Sequence, residues 1–271
     1  MTKRLQGKIA LVVGAGSSAP GMGNGKATAI AFAREGATVV CADVNEAAAK
    51  ETEGLILAEG GQARHLAFDV TDSAAVGRAV ASVIDEFGRI DVLDNNVGIA
   101  KVGGVVELDE AEWDRVHAIN LKGPFLTMKH VIPHMVAQGG GSIINISSLA
   151  GIRWTGVPYA TYYSSKAALN HLSRTTAAEY AAKHVRVNAI LPGLMETPMV
   201  TESAELAGAY ADGQREEMLK KRHAQVPMGH MGTAWDVANA AVFLASDESA
   251  YVTGIELRVD GGISLGFQGN S

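Results

Sequence analysis

The sequence predicts a doubly wound α/β fold, in which a parallel sheet of about seven strands is covered by helices on both faces. Short β-branched runs alternate with longer Ala-rich stretches over nearly the whole chain of 271 residues, and this alternation is typical of parallel sheets. Most strand-like runs are apolar without alternation, as expected for strands that are buried on both faces. No shift in composition and no long linker interrupts the pattern, so we expect a single domain over residues 1–271.

The predicted elements follow one another in a regular order. The predicted strands are 9–13, 38–42, 63–68, 92–95, 141–146, 185–191 and 255–259. The predicted helices are 25–35, 46–59, 73–87, 110–138, 159–182 and 235–245. The segment 202–225 departs from this order, because it is charged and contains two glycines. We expect a helical insertion there and a substrate-covering segment at about 195–225.

Composition excludes several classes of function. The net charge of -6 provides no basic surface for nucleic acid, and no run approaches the ~20 apolar residues that cross a bilayer. Residues 1–8 lack the apolar core of a signal peptide, and the single cysteine, Cys41, excludes an intrachain disulfide framework. We therefore expect a cytoplasmic protein without a nucleic-acid or membrane partner. The eight histidines form no ligand pattern, so we predict no metal site.

A glycine-rich turn connects the first predicted strand to the first predicted helix. Glycines let a backbone approach a pyrophosphate, and the N-terminus of a helix offers free N–H groups to it. This strand–turn–helix context predicts a Rossmann-type dinucleotide site. The residues expected to contact the cofactor are Gly14, Gly23, Asn24 and Gly25, with Gly16 and Gly21 as alternatives.

Acidic residues end the second and third predicted strands. Asp43 stands where a carboxylate binds both ribose hydroxyls of an adenosine and repels a 2′-phosphate. The glycine turn holds no Lys or Arg before Lys26, so we predict NAD as the cofactor, with NADP less favoured. Asp69 and Val70 end the third strand and are predicted to contact the adenine, although Asp69 equally suits the cap of the next helix.

A tyrosine and a lysine four residues apart carry the predicted chemistry. On a helix, Tyr162 and Lys166 share one face. An ammonium group beside a phenol favours the phenolate, so we expect Lys166 to lower the pKa of Tyr162 from its usual value of about 10. Such a tyrosine is a general acid and base that works near neutral pH. Ser148, upstream of it, is a candidate group for polarising a carbonyl.

Five motifs in this order resemble those of the short-chain dehydrogenase/reductase family, over about residues 6–263. They are Asn95-Asn96-Val97-Gly98, the mid-helix Asn120, Ser148, Tyr162 with Lys166, and Pro192-Gly193 followed by Thr197. The chain departs from the family in having Val13 before the first glycine, Val97 in place of alanine, and a glycine turn that is longer by about five residues. None of these departures removes a catalytic group.

The resemblance implies a catalytic tetrad of Asn120, Ser148, Tyr162 and Lys166. Tyr162 would exchange a proton with the substrate oxygen, Ser148 would hydrogen-bond that oxygen, and Asn120 would hold a water that connects Lys166 to solvent. Lys166 would also bind the nicotinamide ribose. The remaining cofactor contacts implied are Asn96, Gly98, Pro192, Gly193 and Thr197, the last to the carboxamide. Family members are usually homotetramers, and we expect the same assembly here.

The substrate is specified only as a secondary alcohol or a ketone. Trp154, Met195 and Met199 suggest a hydrophobic body, but they suit core or subunit contacts equally well. Lys101 and Arg153 are candidates for an anionic group of the substrate, although a solvated charge is the simpler interpretation of each. Two other functions stay open: an NADPH-dependent 3-oxoacyl reductase of the same fold, which Asp43 argues against, and a non-catalytic NAD-binding sensor.

Overall fold

The computed structural model describes residues 3–211 and 213–265, without the side chains of residues 210 and 211. Its sheet has seven strands in the order β3-β2-β1-β4-β5-β6-β7, and every described pair is parallel. The strands are β1 Ile9–Val13, β2 Thr38–Asp43, β3 Gln62–Ala67, β4 Val92–Asn95, β5 Gly141–Ile146, β6 Val185–Pro192 and β7 Glu256–Val259. The predicted fold class is confirmed, and the strand predictions differ from these bounds by one residue at most.

Helices cover both faces of the sheet because successive residues of each strand point to opposite sides. The helices in the described residues are α1 Asn24–Arg34, α2 Glu46–Ala58, α3 Ser73–Phe87, α4 Glu110–His117, α5 Gly123–Ala137, α6 Ala160–Tyr180, α7 Pro198–Thr201, α8 Ala204–Ala211, α9 Arg215–Gln225 and α10 Ala234–Ala245. On one face α1 and α10 bury Val12, Val92 and Ile144. On the other, α3 and α5 bury Leu11 and Leu93.

The helix predicted over 110–138 is wrong as a single α-helix. A π-helical turn, Ala118–Lys122, separates α4 from α5, and the Gly123 amide donates to the Ala118 carbonyl five residues back. Pro124 supplies the physical reason. It has no amide hydrogen, so it cannot make the bond that an α-helix requires with the carbonyl of Asn120. The helix instead widens into a single π-helical turn at this point.

The predicted insertion over 202–225 forms two helices, α8 and α9, with α7 just before them. Position 212, between α8 and α9, lies outside the described residues, as do residues 1, 2 and 266–271. Within residues 3–211 and 213–265, no helix is both long enough and apolar enough to cross a membrane.

The strand order reverses between β1 and β4, because β2 and β3 lie on one side of β1 and the later strands on the other. In doubly wound sheets the carboxyl ends of the strands at such a point border a crevice that binds ligands. The turns after β1 and β4 therefore mark where a binding site is expected.

Candidate active site

A cleft of about 1940 Å³ opens along the carboxyl ends of the strands. This volume exceeds the roughly 300–1000 Å³ of a pocket for one drug-sized ligand, so the cleft has room for a dinucleotide and a substrate together. Apart from the alternative glycines, all members of the predicted tetrad and all predicted cofactor contacts line it, except Asn120. These are Gly14, Gly23, Asn24, Gly25, Asp43, Asp69, Val70, Asn96, Gly98, Ser148, Tyr162, Lys166, Pro192, Gly193 and Thr197.

The glycine turn is closed by one tight backbone approach. Gly14 has φ +86°, a conformation that favours glycine, and a Cβ added to Gly25 would lie 1.9 Å from the Gly14 carbonyl oxygen. Gly16 also lines the cleft, where a Cβ would lie 2.8 Å from the Asp43 carboxylate. Gly21 instead faces Pro198 and does not line the cleft. Of the two alternative glycines, the geometry therefore favours Gly16.

The start of helix α1 presents a polar atom without a partner. The Asn24 side-chain oxygen is buried and accepts no hydrogen bond from any described residue. Gly23, the residue before the helix, provides no side-chain cap for it. Buried polar atoms are nearly always paired in folded proteins, so this end of the helix fits a ligand that brings hydrogen-bonding groups.

Lys26 does not offer its charge to the cleft. Its side chain is buried, and its ammonium donates to a Glu51 carboxylate oxygen at 2.8 Å and to the Gly21 carbonyl at 3.4 Å. The lysine therefore fastens the glycine turn to helix α2.

Asp43 lies at the end of β2, where its carboxylate joins the strand to the glycine turn. One oxygen accepts from the Gly16 amide at 3.0 Å and the other from the Asn45 amide at 3.0 Å. Val44 beside it is largely exposed, and no Lys or Arg is among the described cleft residues next to it. The negative charge on this side of the cleft is therefore uncompensated by a neighbouring cation, which disfavours a 2′-phosphate.

The sequence left open whether Asp69 caps the next helix or contacts the adenine. Asp72 caps helix α3 by accepting from the amides of Ala74 and Ala75. Asp69 accepts from the amide and the hydroxyl of Thr71, both at 2.8 Å, with the same oxygen. Its other oxygen is thus not used in the turn, and Asp69 borders the cleft beside Val70.

The turn after β4 approaches both the glycine turn and helix α6. A Cβ on Gly14 would lie 2.9 Å from the Asn96 carbonyl carbon, and one on Gly98 would lie 3.1 Å from the Lys166 ammonium nitrogen. The Asn96 amide donates to the Val13 carbonyl at 2.8 Å. The glycine turn and helix α6 therefore both approach the turn formed by residues 95–98.

Helix α6 carries Tyr162 and Lys166 one turn apart, as predicted from their spacing. Tyr162 is half-buried, with its hydroxyl hydrogen-bonded to Ser148. Ser148 precedes a short 3₁₀ turn, Leu149–Gly151, and its hydroxyl oxygen also accepts from the Ala150 amide at 3.1 Å. The neighbour Ser147 is buried and donates to the Lys166 carbonyl instead.

The predicted lowering of the Tyr162 pKa by Lys166 is not found in this structure. Burial raises the pKa of Tyr162, and the hydrogen bond with Ser148 only partly opposes it. The Lys166 ammonium lies 5.8 Å from the centroid of the Tyr162 ring and donates to the Ile146 carbonyl at 2.8 Å. Burial also lowers the pKa of Lys166 to about 8. The sequence shows the spacing of the pair but not its desolvation.

Asn120 is buried inside the π-helical turn, behind the cleft. Its side-chain oxygen accepts from the Ile99 amide at 2.9 Å, and its side-chain nitrogen donates to the Ile99 carbonyl at 2.9 Å. The same nitrogen approaches the Ser165 hydroxyl at 3.2 Å. The amide therefore ties the turn after β4 to helix α6, which supports the position of Lys166 from behind.

The end of β6 closes the cleft on the other side. The Gly193 amide donates to the Val259 carbonyl at 2.9 Å, and a Cβ there would lie 2.7 Å from Asp260. Thr197 is buried before helix α7. Pro192, Gly193 and Thr197 thus line the cleft next to the end of β6.

The end of the cleft beside Tyr162 is mostly apolar. Tyr159 packs near Tyr162 with ring centroids 5.9 Å apart, and Leu206 of α8 is buried against Val157. Met195 and Met199 also line this end. Residues of α8 and α9, such as Leu206 and Ala224, also line the cleft.

Three polar residues around this end have partners of their own. Tyr163 donates to the Val157 carbonyl at 2.7 Å and so has a packing function. Lys101 forms an ion pair with Glu205 at 2.5 Å, which removes it as a free cation. Arg153, at the rim, donates to the Ile263 and Trp154 carbonyls.

Sequence reasoning missed several residues of the cleft. Ser17, Ser18, Val44 and Phe68 line it, and their positions directly after strand ends were the available signal. It also missed Asp94, a buried acid in β4 whose pKa burial raises to about 7. Among the described residues, no group of His, Cys, Asp and Glu side chains is arranged to hold a metal ion.

The residues present fit a nicotinamide dinucleotide. Gly14, Gly16 and Gly25 lack the room for a side chain, so a backbone-lined cradle faces the cleft. The unpaired side-chain oxygen of Asn24 and the carboxylate of Asp43 are hydrogen-bond acceptors beside that cradle, and acceptors of this kind suit ribose hydroxyls. Pyrophosphate and ribose are the groups that such a strand–turn–helix arrangement binds.

Comparison with known proteins agrees with this geometry. A family model described as enoyl-(acyl carrier protein) reductase matches residues 19–264. The chain is 42% identical to the 2,5-dichloro-2,5-cyclohexadiene-1,4-diol dehydrogenase LinX of Sphingobium indicum, covering 98% of this chain and 100% of that protein. It is 41% identical to the 3-oxoacyl-[acyl-carrier-protein] reductase FabG of Thermotoga maritima, covering 97% and 100%.

A solved structure extends the comparison to three dimensions. The crystal structure described as a short-chain dehydrogenase/reductase from Burkholderia xenovorans superposes with a TM-score of 0.91 at 48% identity, covering 98% of this chain and 100% of that chain.

Proposed function

Because the chain belongs to the short-chain dehydrogenase/reductase family of oxidoreductases, we propose that it interconverts a secondary alcohol and a ketone with NAD as its cofactor. The observation that carries the reaction type is the hydrogen-bonded pair of Tyr162 and Ser148 beside Lys166, at the cleft. The observation that carries the choice of NAD is Asp43, whose carboxylate stands at the end of β2 without a neighbouring cation among the described cleft residues.

The nicotinamide, when bound, supplies or accepts the hydride at the carbinol carbon. In the oxidation direction, ionised Tyr162 takes the proton of the substrate hydroxyl as the C–H bond electrons leave, and the C–O bond becomes a carbonyl. Ser148 donates a hydrogen bond to the same oxygen and stabilises its charge. In reduction Tyr162 returns the proton. The hydroxyl of Ser148 and that of Tyr162 are already hydrogen-bonded to each other, so both groups are oriented before a substrate arrives.

Lys166 supplies positive charge to the site. Its ammonium is buried and held by the Ile146 carbonyl, so it favours the ionised form of Tyr162 only weakly before the cofactor binds. We propose that it also binds the nicotinamide ribose, and that Asn120 supports it by holding the turn at residues 98 and 99. Asp43, Asn24, Gly14 and Thr197 are the proposed contacts along the rest of the dinucleotide.

The substrate proposed is a secondary alcohol with a hydrophobic body. Tyr159, Val157 and Leu206 form an apolar wall in front of Tyr162. The dehydrogenase relative from Sphingobium is named for a cyclic chlorinated diol, and a ring of that kind suits such a wall.

The assembly proposed is a homotetramer, as is usual in the family. Trp113 of α4 and Phe125 of α5 are 43% and 46% exposed, so these two helices carry large apolar side chains on their surface that a subunit contact would bury. Light scattering coupled to size exclusion measures this directly.

A 3-oxoacyl reductase that uses NADPH is the second candidate. The Thermotoga relative is named a 3-oxoacyl-[acyl-carrier-protein] reductase, and the family model is described as enoyl-(acyl carrier protein) reductase. The Asp43 carboxylate opposes it, because NADPH would place a 2′-phosphate beside that charge.

The first experiment measures absorbance at 340 nm with NAD⁺ and with NADP⁺ over a panel of cyclic, aromatic, sugar-like and hydroxyacyl secondary alcohols. We expect reduction of NAD⁺ with a hydrophobic alcohol. Tyr162→Phe is expected to abolish turnover and to keep NAD⁺ binding, whereas the matched variant Tyr163→Phe keeps turnover. Oxidation of NADPH with a 3-oxoacyl thioester, without activity on any alcohol, would favour the second candidate.

A further inference from the structure

Asp94 is a buried carboxyl group that the proposed reaction does not use. It is 0% exposed, in β4, and its partners in the parallel register are Val12 and Ile144. These two residues belong to the apolar core beneath helices α1 and α10. An apolar side chain would suit this position, because burying a carboxyl group among hydrocarbon costs free energy unless it is fully hydrogen-bonded.

Hydrogen bonding of Asp94 is incomplete. One oxygen accepts from the Asn96 side-chain nitrogen at 2.5 Å. The other is buried and finds no partner among the described residues. Burial accordingly raises the pKa of Asp94 to about 7. The burial of this carboxyl group thus lowers the stability of the fold. Among the described residues, the hydrogen bond with Asn96 is the one that its side chain makes.

Asn96 occupies the point where the turn after β4 meets the glycine turn. Its Cβ would lie 3.2 Å from a Cβ on Gly25, and its carbonyl carbon 2.9 Å from one on Gly14. It also lines the cleft. An asparagine amide rotates broadly about χ2, and its two ends differ, one being a donor and the other an acceptor. With its nitrogen held by Asp94, the oxygen is the end left for other partners.

We propose that Asp94 is a positioning residue that fixes the orientation of the Asn96 side chain, and so raises affinity for the dinucleotide at the expense of folding stability. This inference rests on the proposed function, because it takes the cleft to bind a nicotinamide dinucleotide. Asp94 acts through Asn96 and does not itself touch the ligand.

The test combines affinity and stability in three variants at position 94. Calorimetric titration gives the Kd for NAD⁺ and for NADP⁺, and thermal unfolding of the free protein gives the Tm. Asp94→Val and Asp94→Leu remove the acceptor, and we expect Kd to rise about 5- to 10-fold, the worth of one hydrogen bond, with a Tm equal to or above that of the wild type. Asp94→Asn keeps an acceptor for Asn96, and we expect Kd within about 2-fold of the wild type.

A double-mutant cycle tests whether the effect passes through Asn96. In an Asn96→Ala background, Asp94→Val is expected to leave Kd unchanged. The inference would be overturned by an unchanged Kd in Asp94→Val, or by a loss of affinity in Asp94→Asn equal to that in Asp94→Val. It would also be overturned if Asp94→Val had its full effect on Kd in the Asn96→Ala background, or if neither Asp94→Val nor Asp94→Leu folded. If the wild type binds neither dinucleotide, the proposed function falls, and this inference falls with it.

Discussion

The ammonium nitrogen of Lys166 donates to the Ile146 carbonyl oxygen at 2.8 Å while it lies 5.8 Å from the ring centroid of Tyr162. The ammonium group of Lys166 is thus held at the end of β5, and its charge acts on Tyr162 from that distance. Burial raises the pKa of Tyr162 and lowers that of Lys166 to about 8. Lys166 is therefore expected to lose its proton at a lower pH than Tyr162, and the dependence of the reaction rate on pH should show this order.

The pH profile of alcohol oxidation is the first prediction. Oxidation requires ionised Tyr162 and charged Lys166. Below pH 8 Lys166 is charged and the ionised fraction of Tyr162 grows tenfold per unit, so log kcat/KM is expected to rise with a slope of about one. Above pH 8 the loss of the lysine proton offsets this gain, and the profile flattens.

Ketone reduction on the same enzyme serves as the control. It requires neutral Tyr162, whose pKa burial raises, together with charged Lys166, whose pKa is about 8. Its profile is therefore expected to be flat up to about pH 8 and to fall above it as Lys166 loses its proton. A reduction rate that rises with pH, or an oxidation profile without a break near pH 8, would contradict these assignments.

Replacement of Asp43 should change the cofactor. Asp43→Ser removes the charge at the end of β2 together with the acceptor for the Gly16 amide. We expect kcat/KM for NAD⁺ to fall about 10- to 100-fold, since a hydrogen bond to a charged group is worth roughly 1.5–3 kcal/mol, and that for NADP⁺ to rise. Asp69→Ser is the matched control, and its preference between the two cofactors should stay that of the wild type.

A methyl group at Gly25 should close the nucleotide site. Its Cβ would lie 1.9 Å from the Gly14 carbonyl oxygen, so Gly25→Ala must displace the turn. We expect a loss of NAD⁺ affinity of more than tenfold and a loss of stability of about 1–3 kcal/mol. Gly54→Ala is the control within helix α2, because a Cβ there meets nothing within 4 Å and should stabilise the helix by about 0.5–1 kcal/mol.

Asp94 should make stability fall as pH rises. Its pKa is about 7 in the folded protein, against the ordinary 3.8. Between these values the folded state binds the proton and the unfolded state does not, so the free energy of unfolding drops by up to roughly 1.4 kcal/mol per pH unit and stays low above pH 7. Asp94→Asn lacks this titration. Its Tm advantage over the wild type is expected to be largest at pH 8 and to shrink towards pH 5; a constant difference would show that Asp94 is ionised throughout.

The sequence predicted the sheet, the glycine turn and the Tyr162–Lys166 pair because each depends on local pattern. Apolar runs without alternation identify buried parallel strands, and spacing along one helix places two side chains on one face. The pKa of Tyr162 could not be predicted in this way, since it depends on how much of the chain covers the hydroxyl. The same holds for Asp94, because its burial results from its neighbours on β1 and β5.

The sequence indicates part of the reason for the break in the helix predicted over 110–138. Pro124 signals a missing amide hydrogen, but proline is also common in the first turn of a helix, so its presence alone does not show whether the helix bends, ends or widens. The bonds that Asn120 makes with Ile99 decide between these, and they join residues 21 positions apart.

The π-helical turn at Ala118–Lys122 also sets the rotational phase of two helices. It accommodates one residue more than an α-helical turn, and one residue corresponds to roughly 100° of rotation about a helix axis. The chain therefore turns a different side of α5 toward the sheet than an unbroken continuation of α4 would. Deleting a single residue here would leave either Asn120 facing away from Ile99 or the apolar side of α5 facing away from the core, so the length of this segment is as constrained as its composition.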